Sequence, residues 1–326
     1  MGTLLSIVVA AYNSEKTLER TLQSLAPLLE KGVQAVIVDD GSLDRTYEIA
    51  DTFSRTVSGV EVFRLTHNGS ASARNFGLSC VKSEFVMFCD ADDELLEFSL
   101  DDLNETNSEM IVCSYLYEKV NGAIEIVASP VDDSASKAFL FSPELAKILM
   151  NQIGFWRYIY KTDFLRDQSV RFVGTLEELK ADYFVLDDYF FLLHVLTTFK
   201  HGTSWGTPVY KYYENSHSHY QRFRKQSKFM AIAAAIQINE MAGKLSKERF
   251  SWYRSELRRQ LFSSFQAVSL KDTYLTWWKF TKAVWSLHSN FSLIGLIHGL
   301  KDFLLLFFTL LRKTAGQGKS IITFKN

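Results

Sequence analysis

The sequence predicts an α/β protein with a mostly parallel sheet between helices, followed by a smaller all-helical unit. In the first ninety residues, a short apolar run and a polar turn recur four times, usually followed by a helical pattern. This repeat is the signature of parallel strands joined by crossover helices. After about residue 216 only helical periodicity remains. We therefore expect a first domain over residues 1–215 and a helical domain over residues 216–326.

Each of the four predicted strands ends in polar residues. LLSIVVAA runs into Tyr12 and Asn13, and leucines four and three residues apart then predict a helix from about Ser14. QAVIVDD is followed by Ser42, which suits the cap of a second helix. VEVFRLT gives way to HNGSASARNFGLS, a small-residue helix that can pack closely, and EFVMFCDADDE is the fourth strand.

The polar segments after these strands are expected to meet at one edge of the sheet. Parallel strands joined by right-handed crossovers point the same way, and ligands of open α/β sheets bind where the strands end. The four segments are residues 12–14, 39–42, 67–70 and 90–94. Helix N-termini at this edge favour phosphate. Asp90, Asp92 and Asp93 would repel one another unless a hard cation or a hydrogen-bonding ligand lay among them.

A turn cap would explain any one of these acids alone, whereas the cluster favours a binding site. Composition excludes other classes of function. The 36 basic and 37 acidic side chains leave a net charge of −1, which does not favour nucleic acid. Cys80, Cys89 and Cys113 form no CxxC pair, so neither a disulfide framework nor a zinc site is indicated. No signal peptide is recognised at the start, and we expect a cytoplasmic protein.

Four motifs resemble, in order and spacing, those of family 2 inverting glycosyltransferases with the GT-A fold. They are SIVVAAYNSEKTLERTLQSL, VIVDDGSLDRT, HNGSASARNFGL and FVMFCDADDEL. Further along, FWRYIYKTDFLRDQSVRF and LDDYFFLLHVL are similar to two later motifs of the family. Ala10 and Ala11 stand where the family usually has Pro-Thr, and Asp187 where it often has Glu. Neither departure removes a catalytic group.

The resemblance implies transfer of a sugar from a nucleotide-diphosphate donor, expected to be a UDP-sugar. The acceptor would be a hydroxyl of a glycan or lipid-linked molecule in surface polysaccharide synthesis. By similarity, Ala11 and Tyr12 would wall the nucleobase, and Asp40 would hydrogen-bond it. Arg74 would reach the donor's phosphates or hold the acidic edge in shape.

The metal and catalytic residues also follow from the resemblance. Asp90 would contact the ribose or sugar, and Asp92 would bind the Mn²⁺ or Mg²⁺ that bridges both phosphates. His217 is a weak candidate for a further metal ligand, with an exposed loop histidine as the alternative. Asp188 would be the general base, because in an inverting reaction the base stands across the sugar from the metal.

Two other classes of protein were weighed. A dinucleotide-dependent oxidoreductase would have a glycine-rich turn after the first strand. AAYNSEK has no glycine, so the sequence does not favour this class. A catalytically silent protein of the same fold, acting as a scaffold for another transferase, remains the alternative to an enzyme.

The segment FSLIGLIHGLKDFLLLFFTLLRK near the C-terminus is apolar but interrupted. Lys301 and Asp302 lie in its middle, and a charge at the centre of a bilayer costs about 2.5 to 3.5 kcal/mol on insertion scales. Its uninterrupted apolar run, residues 303–308, is much shorter than the roughly 18 residues that indicate a span. We therefore expect a helix that lies on the inner face of the cell membrane or packs against another subunit of a homo-oligomer.

Overall fold

The computed structural model describes residues 3–104, 106–129, 137–140, 142, 145–146, 149, 154–172, 187–214 and 249. The chain divides into two compact units, Met1–His217 and Ser218–Asn326. The helices expected after residue 216, with their membrane or subunit contacts, lie outside the described residues. Within the described ranges, no helix is both long and apolar enough to cross a membrane.

The first part of the chain alternates strands and helices, as the sequence predicts. Its elements are β1 (Leu5–Ala11), α1 (Leu18–Glu30), β2 (Gln34–Asp39), α2 (Thr46–Thr56), β3 (Val60–Arg64), α3 (Ser70–Cys80) and β4 (Phe85–Asp90). β1 lies between β2 and β4 and pairs in parallel with both, and β2 pairs in parallel with β3. The order β3-β2-β1-β4 confirms the predicted α/β class with a parallel sheet.

The second part extends the same sheet with mixed pairing. Its elements are β5 (Glu94–Leu95), α4 (Asp101–Asn104), β6 (Met110–Glu118), β7 (Ile124–Val127), β8 (Lys137–Leu140), a 3₁₀ turn (Phe155–Arg157), β9 (Tyr158–Lys161), α5 (Thr162–Asp167), α6 (Asp187–Thr198) and β10 (His201–Tyr213). From β4 the sheet continues β9-β6-β10-β5, with β9 antiparallel to both of its neighbours. β10 pairs in parallel with β6 and antiparallel with β5. This arrangement brings β10 beside the residues that directly follow β4.

The central strands are buried on both faces, so each reads as a continuous apolar run. Ile7 and Val9 are 0% exposed on one face of β1, and Val8 is 1% exposed on the other. α3 packs against β1 at Gly77, where an added Cβ would lie 2.4 Å from the Val8 side chain and 3.4 Å from that of Val38. The small residues of α3 therefore permit the close approach that the sequence predicts.

Two predicted helix starts lie several residues too early. α1 begins at Leu18 and not near Ser14, because residues 15–17 form a separate turn that is closed by bonds to the Ser14 carbonyl. α2 begins at Thr46, and Ser42 does not cap it. Asp44 accepts from the Thr46 N–H at 3.0 Å instead, so the acid takes the capping role expected of the serine.

Candidate active site

The loops that follow β1 and β2 are tied together at the edge of the sheet. The Asn13 N–H donates to the Ser42 hydroxyl at 2.9 Å, and the Leu43 N–H donates to the Asn13 side-chain oxygen at 2.9 Å. The Ser14 N–H donates to the Thr46 hydroxyl at 2.7 Å. These bonds hold two of the four predicted segments in one place.

Asp40 organises the start of α3. Its carboxylate is 2% exposed and accepts from the backbone N–H groups of Asn68 and Gly69, each at 2.9 Å. His67 Nδ1 lies 2.8 Å from the same carboxylate. At Gly41, φ is +71° and an added Cβ would lie 2.7 Å from the His67 N–H nitrogen, so this turn requires glycine. The structure thus gives Asp40 a loop-fixing role that sequence reasoning missed, and its contact with a nucleobase stays a prediction.

Tyr12 presents an aromatic surface at this edge. Its side chain is 41% exposed and stacks on the His67 ring, with centroids 4.0 Å apart and planes 16° apart. Ala11, the other predicted wall residue, is 2% exposed at the end of β1. Sequence reasoning placed residues 67–70 at this edge but did not single out His67 as a wall residue; an aromatic ring in that segment, three residues after β3, was the signal available.

The acid loop, residues 90–93, has one acid turned into the protein. Asp93 is 1% exposed and accepts from the Tyr210 hydroxyl at 2.7 Å and from the Tyr213 N–H at 2.9 Å. Burial, together with the negative charges of the other two acids, raises the pKa of Asp93 to about 8. Both carboxylate oxygens of Asp93 are thus engaged by β10.

Tyr210 also fixes the backbone of the acid loop. Its hydroxyl accepts a hydrogen bond from the Asp90 N–H at 3.1 Å, while its ring stacks on Trp156 with centroids 4.4 Å apart. Tyr210 was not among the sequence candidates. The alternation in VYKYY indicates a strand, but nothing local indicates that this strand lies beside the acid loop.

Asp90 and Asp92 are the two acids of the loop that remain partly accessible. Burial raises the pKa of Asp92, and the neighbouring charge of Asp90 adds to that rise. Among the described residues, no group of three His, Cys, Asp or Glu side chains is arranged to hold a metal. Two carboxylates with substrate phosphates are nevertheless a usual ligand set for Mg²⁺, so the donor set fits a cation shared with a diphosphate.

Arg74 joins the two sides of the candidate site. Its guanidinium lies 2.8 Å from Asp90 Oδ1 and 3.3 Å from Asp188 Oδ1, and its side chain is 11% exposed. The same group lies 4.4 Å from the centre of the Phe155 ring and 5.4 Å from that of Phe172. The apolar rings limit where the guanidinium can lie, and the fork of donors suits two carboxylates at once. Three residues predicted from separate motifs are thus brought together.

Asp188 lies in the first turn of α6, which anchors it firmly. Apolar side chains of α6 that are at most 2% exposed are Phe190, Phe191, Leu192, Leu193, Val195 and Leu196. A helix buried this deeply holds its first turn in place, and the carboxylate itself remains 38% exposed. Asp188 can therefore be reached by an incoming molecule. The predicted ligand His217 lies outside the described residues.

Sequence comparisons agree with the motifs. Residues 6–115 match the family model described as Glycosyl transferase family 2. The EpsH protein of Bacillus subtilis, named as a glycosyltransferase, is 24% identical over 262 residues, which cover 77% of this chain and 72% of EpsH. The poly(ribitol-phosphate) β-N-acetylglucosaminyltransferase TarS of Staphylococcus aureus is 29% identical over 194 residues, covering 56% of this chain but 32% of TarS.

Structural comparisons define the class of fold. TarS residues 1–349 in complex with UDP-GlcNAc match with a TM-score of 0.73 and 18% identity, over 96% of this chain and 92% of that one. The mannosyltransferase PcManGT from Pyrobaculum calidifontis, in complex with GDP-Man and Mn²⁺, matches with a TM-score of 0.50 and 14% identity, over 96% and 83% of the two chains. The fold is therefore GT-A, as the motifs predicted. The match of residues 6–115 to the family 2 model, together with the similarity to EpsH, agrees with the resemblance seen in the motifs.

Proposed function

We propose that the protein transfers a sugar from a UDP-linked donor to a hydroxyl of a glycan or lipid-linked acceptor, with inversion and with a divalent cation. The process served would be surface polysaccharide synthesis on the cytoplasmic side of the cell. The observation that carries the proposal is the position of Arg74 between Asp90 and Asp188. It links an acid of the donor-side loop to an accessible carboxylate on a separate, rigid helix.

Two carboxylates linked by one guanidinium suit a single-displacement reaction at the anomeric carbon. Asp188 accepts the proton of the acceptor hydroxyl while that oxygen bonds to the anomeric carbon. The bond from the anomeric carbon to the diphosphate breaks at the same time, and the electron pair leaves with the diphosphate. Arg74, held by Phe155 and Phe172, keeps the Asp188 carboxylate oriented during this step.

Asp92 would hold the cation, as the resemblance implies, and Asp90, which the resemblance assigns to the ribose or sugar, is the second partly accessible carboxylate that could share it. When bound, a divalent ion neutralises the charge that develops on the leaving diphosphate. The inward position of Asp93 leaves two carboxylates for this purpose. PcManGT, whose structure contains GDP-Man and Mn²⁺, supports the choice of ion class.

The uridine preference is supported by a relative, and the geometry at Tyr12 supports the binding of a base without selecting which one. TarS is described in complexes with UDP and with UDP-GlcNAc. In this chain, the exposed Tyr12 ring is braced by His67 beside the Asp40 turn, which offers a flat surface for a base. The acceptor class follows the resemblance of the motifs and the name of TarS, a poly(ribitol-phosphate) β-N-acetylglucosaminyltransferase.

A nucleotide panel tests the proposal. We expect UDP to raise the melting temperature of the full chain in the presence of Mn²⁺ more than GDP or ADP does. We also expect slow hydrolysis of a UDP-sugar that stops in excess chelator. An equal response to the three nucleotides would remove the uridine preference, and turnover in excess chelator would remove the cation. Nucleotide binding without any hydrolysis or transfer would favour the scaffold alternative.

A further inference from the structure

One face of α1 holds three consecutive carbonyl groups of the acid loop. The Thr17 hydroxyl donates to the Ala91 carbonyl at 2.8 Å, and the Thr21 hydroxyl donates to the Asp93 carbonyl at 2.7 Å. Between them, the guanidinium of Arg20 donates to the Asp92 carbonyl. Three adjacent peptide groups of the loop are therefore fixed from outside the loop.

The spacing of these three residues along the chain explains why they contact the loop together. Positions 17, 20 and 21 are separated by three and four residues, so they lie on one face of α1. Threonine is a weak helix former, and its hydroxyl inside a helix often bonds to the preceding turn. The Thr21 hydroxyl does reach the Thr17 carbonyl, at 3.5 Å, but its bond to Asp93 is much shorter. Thr21 is 0% exposed, so its hydroxyl is directed at the loop and not at solvent.

Arg20 continues the contact beyond the acid loop. Its Nε lies 3.0 Å from a carboxylate oxygen of Glu94, and its guanidinium lies 3.8 Å from the centre of the Tyr213 ring. Tyr213 is also the residue whose N–H binds Asp93. The loop is thus held between α1 on one side and β10 on the other.

The same helix follows directly from the loop that carries Tyr12. The N–H groups of Thr17 and Leu18 donate to the Ser14 carbonyl at 3.0 Å and 2.9 Å, so the turn that leads from Ser14 into the helix is itself fixed. The acid loop and the Tyr12 wall are therefore connected through one helix and not only through the sheet.

We propose that Thr17, Arg20 and Thr21 are positioning residues that set the backbone of the acid loop for the donor's cation and diphosphate. The inference rests on the proposed function. The directions of the Asp90 and Asp92 side chains follow from the backbone on which they stand. A loop without these bonds spends a smaller fraction of its time in the conformation that binds the cation. The apparent affinity for the cation falls in proportion to that fraction. The general base on α6 is not part of this contact.

The test compares substitutions at Thr21 in the full chain. Thr21→Val removes the hydroxyl and keeps the shape, whereas Thr21→Ser keeps the hydroxyl. Thr162→Val is the matched control, because Thr162 is 1% exposed and its hydroxyl has no hydrogen-bond partner among the described residues. The readout is the Mn²⁺ concentration that gives half of the UDP-induced increase in melting temperature, measured beside the melting temperature without ligands.

We expect Thr21→Val to raise the half-saturating Mn²⁺ concentration about fivefold, the effect of one lost hydrogen bond. Thr21→Ser and Thr162→Val should stay within about twofold of the parent, since neither loses a bond to the loop. Thr17→Val tests the same idea at a half-buried position, where a fold disrupted at residue 21 would not interfere. It should shift the Mn²⁺ dependence in the same direction.

Two results would overturn the inference. One is an unchanged Mn²⁺ requirement in both valine variants, and the other is an equal loss in Thr21→Ser, which would assign the effect to packing. A parent chain with no Mn²⁺-dependent response to UDP would contradict the proposed cation itself. That result is distinguishable because it appears before any substitution is made.

Discussion

At the scale of single residues, Arg74 is the side chain on which the site depends most. Arg74→Lys keeps the charge but loses the fork, so one ammonium group cannot reach both Asp90 and Asp188. We expect kcat/KM to fall by about 10²-fold, the size of effect that a small misplacement of reacting groups produces. Steady-state kinetics with a UDP-sugar measures it.

The control for this substitution is Arg55→Lys. Arg55 pairs with Asp51 on the exposed side of α2, with 76% of its side chain accessible. That variant should retain the parent kinetics. Parent kinetics in Arg74→Lys as well would show that a single charge is sufficient at this position.

Asp188→Asn separates the general base from the donor site. We expect loss of transfer with retained binding of UDP and Mn²⁺, because the proposed base acts on the acceptor side and the acids proposed for the cation lie on another loop. Calorimetric titration of UDP beside a transfer assay tests both parts. Asp163→Asn, at an acid that is 80% exposed on α5, is the matched control. Loss of UDP binding in Asp188→Asn would make Asp188 a structural residue.

Cys113 provides a prediction about pH and stability. Burial raises the pKa of its thiol to about 12 from an ordinary value near 9. Above about pH 9 the unfolded chain loses this proton first, so the thiol's contribution to stability falls as pH rises toward 12. Cys113→Ala should therefore reduce the slope of unfolding free energy against pH by up to about 1.4 kcal/mol per pH unit in this window.

Urea denaturation at several pH values measures that slope. Cys80→Ala, at a half-buried thiol, accompanies it as a second cysteine substitution. Equal slopes in the parent and in Cys113→Ala above pH 9 would contradict a buried neutral thiol.

At the scale of elements, the contact between α3 and β1 gives a stability prediction. Gly77→Ala would place a Cβ 2.4 Å from the Val8 side chain. Alanine favours the helix by about 1 kcal/mol, whereas overpacking in a core costs about 1 to 3 kcal/mol. We expect the overpacking to win, with a net destabilisation measured by urea denaturation.

Two further variants make this prediction specific. Ser79→Ala, on the exposed side of the same helix, should change stability by less than about 0.5 kcal/mol. In a double-mutant cycle, Val8→Ala should relieve part of the cost of Gly77→Ala, because the two side chains compete for one space. Additive costs would show that the backbone of α3 moves away instead.

The elements that the sequence predicts well are those defined by neighbours in the chain. The alternation of apolar runs and polar turns up to Asp90 depends on local spacing, so β1 to β4 and their crossovers could be read directly. The pairing of β9 between β4 and β6, and of β10 between β6 and β5, joins distant segments. Periodicity carries no information about which distant strands pair.

The same limit explains the candidate site. Asp90, Arg74 and Asp188 belong to recognisable motifs, and the structure brings them together. Tyr210 and Tyr213 act only because β10 lies beside the acid loop, so their sequence context shows a strand and nothing more. Asp40 was assigned to the nucleobase by similarity to the family, whereas its carboxylate accepts from two backbone N–H groups just before α3.

At the scale of the whole molecule, the division at His217 predicts a separable first unit. Residues 1–217 contain the entire described sheet, including its buried central strands. We expect this fragment to unfold in one cooperative transition and to bind UDP with Mn²⁺, because the acid loop and its partners all lie within it. A fragment that aggregates or shows no transition would indicate that residues 218–326 are needed for folding.

The place of β10 in the sheet also bears on the order in which the protein is synthesised. β10 is the last described strand in the chain, yet it lies between β6 and β5 and supplies Tyr210 and Tyr213 to the acid loop. N-terminal segments leave the ribosome first, so the acid loop is synthesised well before the two tyrosines of β10 that hold it. A nascent chain of this length would contain the strand ends that are proposed to bind the nucleotide, but its acid loop would not yet be fixed by β10. Chains released at residue 199 should therefore fail to bind UDP with Mn²⁺, which would keep unfinished protein from consuming donor sugar in the cell.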